Sequence, residues 1–314
     1  MTNEFELFKR SMIENNKELF KCVSKADLHN HALLGSNREK FFKAFPQNKL
    51  EHFSKSNNIY SLTKFIKNNI IKISTTKIGQ LSLFECTILT AIDDGISILE
   101  ISVDYRLTFE VYNGNLEKYI YDLKNILAKY NKKIKLRFDI GISRNAYKKE
   151  HKKIILKMID SSIFSGIDIF GDELSKPINT FKSIYKYAEK KHLKRKAHVG
   201  EFGNAYQVYK AIKVLHLNVV QHGISVVNDK RIMKYAKKKN IQFNVCPISN
   251  LMLCRVKDIK QHPIKKMYEH GLKVTINTDD QLIFENSLFD EYMLLYKENV
   301  FSIDQLNNIR LNSL

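Results

Sequence analysis

The feature that most constrains this 314-residue chain is its alternation of short β-branched runs with longer stretches of helical period. Strands are expected at residues 25–31, 96–104, 133–143, 166–173, 194–201, 218–223, 241–247 and 273–280. Between them, residues 115–130, 178–191, 205–215 and 229–239 repeat apolar side chains three and four apart, the pattern of helices that bury one face. Such alternation builds a parallel sheet with right-handed crossovers, and eight strands suffice to close a ring. The expected fold class is therefore α/β: a (β/α)8 TIM barrel with extra helices inserted after strand 1. That insertion, about residues 32–95, is too long for one helix and includes a helical stretch at 59–72. Only four prolines occur, and no repeat or low-complexity linker, so residues 1–314 are expected to form one domain.

Polar residues that look out of place gather at the ends of the expected strands. The first ends His29-Asn30-His31, the fourth Gly171-Asp172-Glu173, the fifth His198-Val199-Gly200-Glu201, the sixth His222-Gly223 and the eighth Asp279-Asp280. In a (β/α)8 barrel the carboxyl ends of the strands converge on one site. Histidines two apart on a strand point to the same face, so His29 and His31 can grip one ion together. With His198 and Asp279 they make three imidazoles and a carboxylate, a donor set that suits zinc with a position left for water. Each element alone has an ordinary reading. A lone HxH is commonly a surface pair, His198 or His222 a hydrogen-bonded core histidine, and Asp279-Asp280 a helix cap. Cys246 before Pro247 reads as a small buried residue with no chemistry. The joint placement at five strand ends favours a site.

These stretches together resemble the adenosine deaminase family, within the amidohydrolase group of metal-dependent barrels. The matching runs are Lys25-Ala26-Asp27-Leu28-His29-Asn30-His31, Gly171-Asp172-Glu173, Ala197-His198-Val199-Gly200-Glu201 and Gln221-His222-Gly223. They continue with Cys246-Pro247-Ile248-Ser249-Asn250-Leu251 and Asn277-Thr278-Asp279-Asp280-Gln281-Leu282-Ile283-Phe284, in the family's order. The resemblance implies one zinc ion per chain held by His29, His31, His198 and Asp279, with His31 also bordering the substrate. It implies a zinc-activated water attacking C6 of a purine, with Glu201 protonating ring N1 and His222 orienting the attacking oxygen. Asp280 would accept or share a proton with N7, and the Gly171 amide would reach N3. The implied reaction is hydrolytic removal of the 6-amino or N6-substituted amino group of an adenine nucleoside, nucleotide or base. A hydrolase of another aminopurine or cyclic amidine is the alternative, and a catalytically silent adenine-ligand sensor a further one.

Two departures from the family pattern bear on substrate. After HxH the family commonly carries an acidic residue that contacts the ribose, whereas this chain runs His31-Ala32-Leu33-Leu34-Gly35-Ser36. Loss of that acid argues against plain adenosine and suits a bulkier or phosphorylated 5′ side. The chain also stops at Leu314, where relatives continue through another helix or so, so reduced helical cladding is expected. Charge refines the picture. A formal net charge of +19 comes from 43 Lys but only 9 Arg, beside 28 Asn. A Lys-led excess lacks the forked Arg side chains that clamp phosphate in pairs, so it is no nucleic-acid motif. The clusters 148–153 and 190–196 are expected on solvated faces. Any functional share of the charge would be Lys or Arg at a pocket rim, drawing in an anionic small-molecule purine. No apolar run approaches the roughly 20 residues of a membrane span. The four scattered cysteines and the polar N-terminus fit a reducing cytoplasm.

Overall fold

A computed structural model describes residues 4–314. Eight strands pair in parallel in their order along the chain. They are β1 Ala26–His31, β2 Ile98–Asp104, β3 Lys135–Ser143, β4 Phe164–Phe170, β5 Lys194–Val199, β6 Val219–His222, β7 Gln242–Val245 and β8 Lys273–Ile276. The ring is nearly closed. Past the end of β8, Asn30 bridges Asp279, whose N–H donates to the His29 carbonyl at 3.1 Å. Helices fill the connections, so the architecture is the expected (β/α)8 TIM barrel.

The alternation along each strand explains which way its residues face. In β2, Leu99, Ile101 and Val103 are fully buried and belong to the main apolar core, which the outer helices cover. Their neighbours Glu100 and Ser102 point into the barrel, where Glu100 meets Lys196 of β5 and Ser102 meets Asp168 of β4. The barrel interior is thus polar, in contrast to the branched apolar layers usual for this fold. Lys196, expected on a solvated face, is fully buried between Glu100 and Asp139, at 2.5 and 2.6 Å. The run of lysines around it concealed a strand residue whose inward parity sets its place. Burial opposes its charge, but the two carboxylates win and hold its ammonium above the ordinary lysine range.

Five expected strands end earlier than the sequence suggested, three of them at site residues. β4 stops at Phe170, β5 at Val199 and β8 at Ile276, so Gly171, Glu201, Asp279 and Asp280 all lie on loops. The backbone turns left-handed at Gly171 (φ 87°) and Gly200 (φ 81°), which breaks the ladder. At Gly171 a Cβ would also sit 2.7 Å from Asn145 Oδ1. His222 (φ 59°) and Asp279 (φ 64°) adopt the same region without being glycine. Strained backbone of this kind persists only where its surroundings enforce it.

The insertion after β1 is helical, as expected: Arg38–Ala44, Ile59–Ile66, Lys72–Ser74 and Lys77–Asp93, with a π-helical turn at Lys67–Ile71. Asn37, Asn58 and Thr76 cap three of these with side-chain oxygens. The insertion packs as a second apolar cluster, Phe41, Phe53 and Leu62 meeting Leu253, Leu282 and Phe284 from the loops after β7 and β8. It therefore roofs the carboxyl end of the barrel. Arg38 and His52 of the insertion both engage Glu285, at 2.6 and 2.5 Å. No described helix is long and apolar enough to cross a membrane.

Candidate active site

The four expected ligands converge. One donor atom from each of His29, His31, His198 and Asp279 lies within 4.8 Å of the others, and all but His31 are buried. His29 Nε2 is 2.9 Å from His198 Nε2, and Asp279 Oδ1 is 3.4 Å from His29 Nε2 and 3.5 Å from His31 Nε2. The other ring nitrogens face acceptors. His198 Nδ1 is 3.1 Å from the Ile169 carbonyl and 3.2 Å from Asp168 Oδ1, and His29 Nδ1 is 3.4 Å from the Asn244 carbonyl. Those partners assign the ring protons to Nδ1 and leave two Nε2 lone pairs facing each other beside a carboxylate. Such a nest of acceptors lacks a donor, and a divalent cation satisfies it. The residues present therefore fit a metal ion. Among the described residues a second group, His29, His222 and Cys246, also clusters. Burial pushes the Cys246 thiol well above its ordinary range, which disfavours the thiolate a metal requires. The histidine–aspartate set is the better site.

Glu201 and His222 stand beside this group. Their closest atoms, Oε1 and Nδ1, are 3.6 Å apart, and His222 Nε2 is 3.9 Å from Asp279 Oδ2. Burial first, then the charges of Asp279 and Glu173, push the Glu201 carboxyl up to about 8, so it keeps its proton at neutral pH. The loop that carries it is pinned by Glu173, which accepts N–H bonds from Gly200 (2.6 Å), Phe202 and Gly203. Asp280 is buried with Oδ1 free of any partner, and burial with its acidic neighbours Asp279 and Glu201 holds it well above the carboxylate range. Gly171 exposes its backbone at the end of β4.

Sequence reasoning missed a relay behind these residues. The Ile264 N–H donates to His262 Nδ1 at 3.1 Å, and His262 Nε2 meets Asn250 Oδ1 at 3.2 Å. Asn250 Nδ2 then donates to Glu201 Oε1 at 2.8 Å and approaches His222 Nδ1 at 3.3 Å. Burial lowers His262 to about 3 and keeps its ring neutral, as the relay requires. Asp168, Phe170 and Ser249, which donates to Asp279 Oδ2 at 2.7 Å, were also missed. Cys246, read as a small buried residue, is fully buried, its sulfur 3.4 Å from His29 Nδ1. Asn250 and Ser249 sit in the run that follows Cys246-Pro247, the one signal that pointed their way.

Comparison with known proteins places this geometry. Residues 127–314 match the adenosine deaminase family model. A Treponema pallidum (strain Nichols) protein assigned as an adenosine/adenine deaminase is 34% identical over 278 residues, 87% of this chain and 92% of that protein. In structure the chain is similar to an adenine deaminase from Arthrobacter aurescens, with TM-score 0.78, 23% identity and 92% of each chain covered. It is also similar to an amidohydrolase from Burkhoderia ambifaria with bound Zn, with TM-score 0.76, 18% identity and 95% and 86% covered. The chain belongs to the adenosine deaminase family and is a hydrolytic deaminase.

Proposed function

We propose that this protein hydrolyses the 6-amino group of a 6-aminopurine, water replacing the amine to give a 6-oxopurine and ammonia, with one zinc ion per chain. The observation that carries the reading is the convergence of His29, His31, His198 and Asp279 beside a Glu201 carboxyl held protonated. The zinc-bearing Burkhoderia relative supports the choice of metal, and the adenine-acting relatives support the substrate class. When bound by these four residues, zinc supplies an acidified water at neutral pH.

The chain's own residues supply the rest. Glu201 donates its proton to N1 as C6 is attacked, which removes the developing charge from the ring. His222, its Nδ1 facing the Asn250 amide, carries its proton on Nε2 and holds the attacking oxygen in place. Asp280, its carboxyl held well above the ordinary carboxylate range, shares a proton with N7, and the Gly171 N–H donates to N3. The insertion at 32–95 belongs to the same unit, residues 1–314, and shuts water out. With four free cysteines and no described membrane helix, we assign the reaction to the cytoplasm.

Ultraviolet absorbance tests this. The zinc-loaded protein is expected to convert at least one of adenine, adenosine, AMP and N6-methyladenine to its 6-oxo product. Turnover of none of them overturns the reading, and turnover only of other cyclic amidines moves it to the alternative substrate class.

A further inference from the structure

We infer that the substrate carries no sugar at N9, and that Phe170 is the residue that enforces this. The inference rests on the purine placement proposed above and adds to it. Around a purine the edge runs N1, N3, N9, N7. With N1 at Glu201 after β5, N3 at Gly171 after β4 and N7 at Asp280 after β8, N9 faces the remaining arc. Because the strands follow one another around the ring in chain order, that arc is the mouth of β1, β2 and β3 together with the inner end of β4.

The arc is apolar where a sugar would lie. Phe170 ends β4 pointing inward, its ring centroid 5.2 Å from that of His31 and 6.3 Å from that of His198. It also lies across β3. A Cβ on Gly141 would sit 2.7 Å from Phe170 Cε1, so the glycine is what admits the ring there. Leu33 is half-buried two residues past His31, against both apolar clusters, and Leu34 beside it is buried.

The charged groups near the ends of β2, β3 and β4 are already engaged. Asp104, at the end of β2, accepts the Arg106 backbone N–H on Oδ1 (2.9 Å) and Arg106 Nε and Nη2 on Oδ2 (2.9 and 2.6 Å). Arg106 also reaches Glu110 at 3.5 Å. Past β3, Arg144 spends Nε and Nη2 on the Lys176 carbonyl (2.8 and 2.5 Å), and Lys176 Nζ donates to the Asn145 carbonyl at 2.6 Å. Asp172 Oδ1 accepts from the Leu174 N–H at 2.9 Å. A ribose placed here would press its hydroxyls against an aromatic ring, and a 5′-phosphate would have to displace the bonds that Arg106, Arg144 and Lys176 already make. Polar groups desolvated without partners are discriminated against by about 100-fold or more. The missing ribose-side acid is thus explained by a missing ribose and not by a phosphate.

Steady-state kinetics on the zinc-loaded enzyme test this, paired with calorimetric binding of the products. For the wild type, kcat/KM for adenine is expected to exceed that for adenosine and AMP by at least about 100-fold, and hypoxanthine to bind at least about 100-fold tighter than inosine. Phe170→Ala is expected to shrink the adenine-to-adenosine ratio at least tenfold, through a gain on adenosine. Phe170→Leu, which keeps an apolar filler, covers the case in which the alanine variant does not fold and should shrink the ratio less. Wild-type preference for adenosine or AMP, or a ratio unmoved in the folded Phe170 variants, overturns the inference. If no purine is turned over, the proposed reaction falls, and hypoxanthine against inosine still decides the N9 question: tighter hypoxanthine sustains it, equal or weaker overturns it.

Discussion

Asp168 Oδ1 lies 3.2 Å from His198 Nδ1, inside the barrel and away from solvent, while Ser102 donates to the other Asp168 oxygen at 2.7 Å. The carboxylate fixes the ring's orientation and proton, so that Nε2 faces His29 and Asp279. Removing such an orienting group typically lowers metal affinity 10- to 100-fold. Asp168→Asn is expected to lose zinc to a competing chelator at correspondingly lower chelator concentration. Unchanged affinity would show that His198 needs no anchor.

Glu201→Gln keeps the side chain's shape and its bond from Asn250 while removing the transferable proton. The turnover number is expected to fall by at least about 10²–10⁴. Zinc content, read by elemental analysis, should stay at the wild-type level, since Glu201 is not among the four ligands. Near-normal turnover would remove Glu201 from the chemistry.

The same carboxyl is expected to set the alkaline limb of the rate. Burial, then Asp279 and Glu173, raise it to about 8, so its acid form is present below that value and is lost as pH rises through it. A general acid works only while protonated. The expected kcat/KM is therefore level below about pH 8 and falls towards tenfold per pH unit above it. A profile that keeps rising through pH 9 would contradict this.

Lys196 is the only cation among the described residues placed fully inside the barrel against Glu100 and Asp139. Lys196→Met fills similar space but leaves two carboxylates buried without it. A loss of about 3–5 kcal/mol in unfolding free energy is expected from denaturant titration. Replacing all three with apolar residues should recover much of that loss, because desolvating the cluster is itself costly.

How far the sequence could be read depended on the range over which its signals act. Eight strands and the pairing of His29 with His31 follow from local period, and both were legible. His198 and Glu201 stand three apart at one strand end, and Asp279 and Asp280 are adjacent, so they too could be found. Lys196 could not, because a lysine-rich run looks solvated until strand parity turns one member inward. Phe170 reads as one more apolar strand residue; only the ring geometry places it against His31. The relay through His262 was hidden for a different reason. It joins residues from separate loops, and nothing local marks which loops will meet. The helix expected at 59–72 hides a π-helical turn that its apolar period does not reveal.

The incomplete ladder between β1 and β8 has a consequence for when the protein becomes competent. Past the single bridge at Asn30 and Asp279, the seam is stitched by side chains: Asn277 Oδ1 accepts from the Leu28 N–H at 2.8 Å, and Asn244 Nδ2 donates to the Leu28 carbonyl at 2.9 Å. His29 and His31 stand on one side of that seam and Asp279 on the other. In the proposed site, a metal gripped by all of them would link the first strand to the segment beyond the last. Metal capture at that site would then be coupled to ring closure.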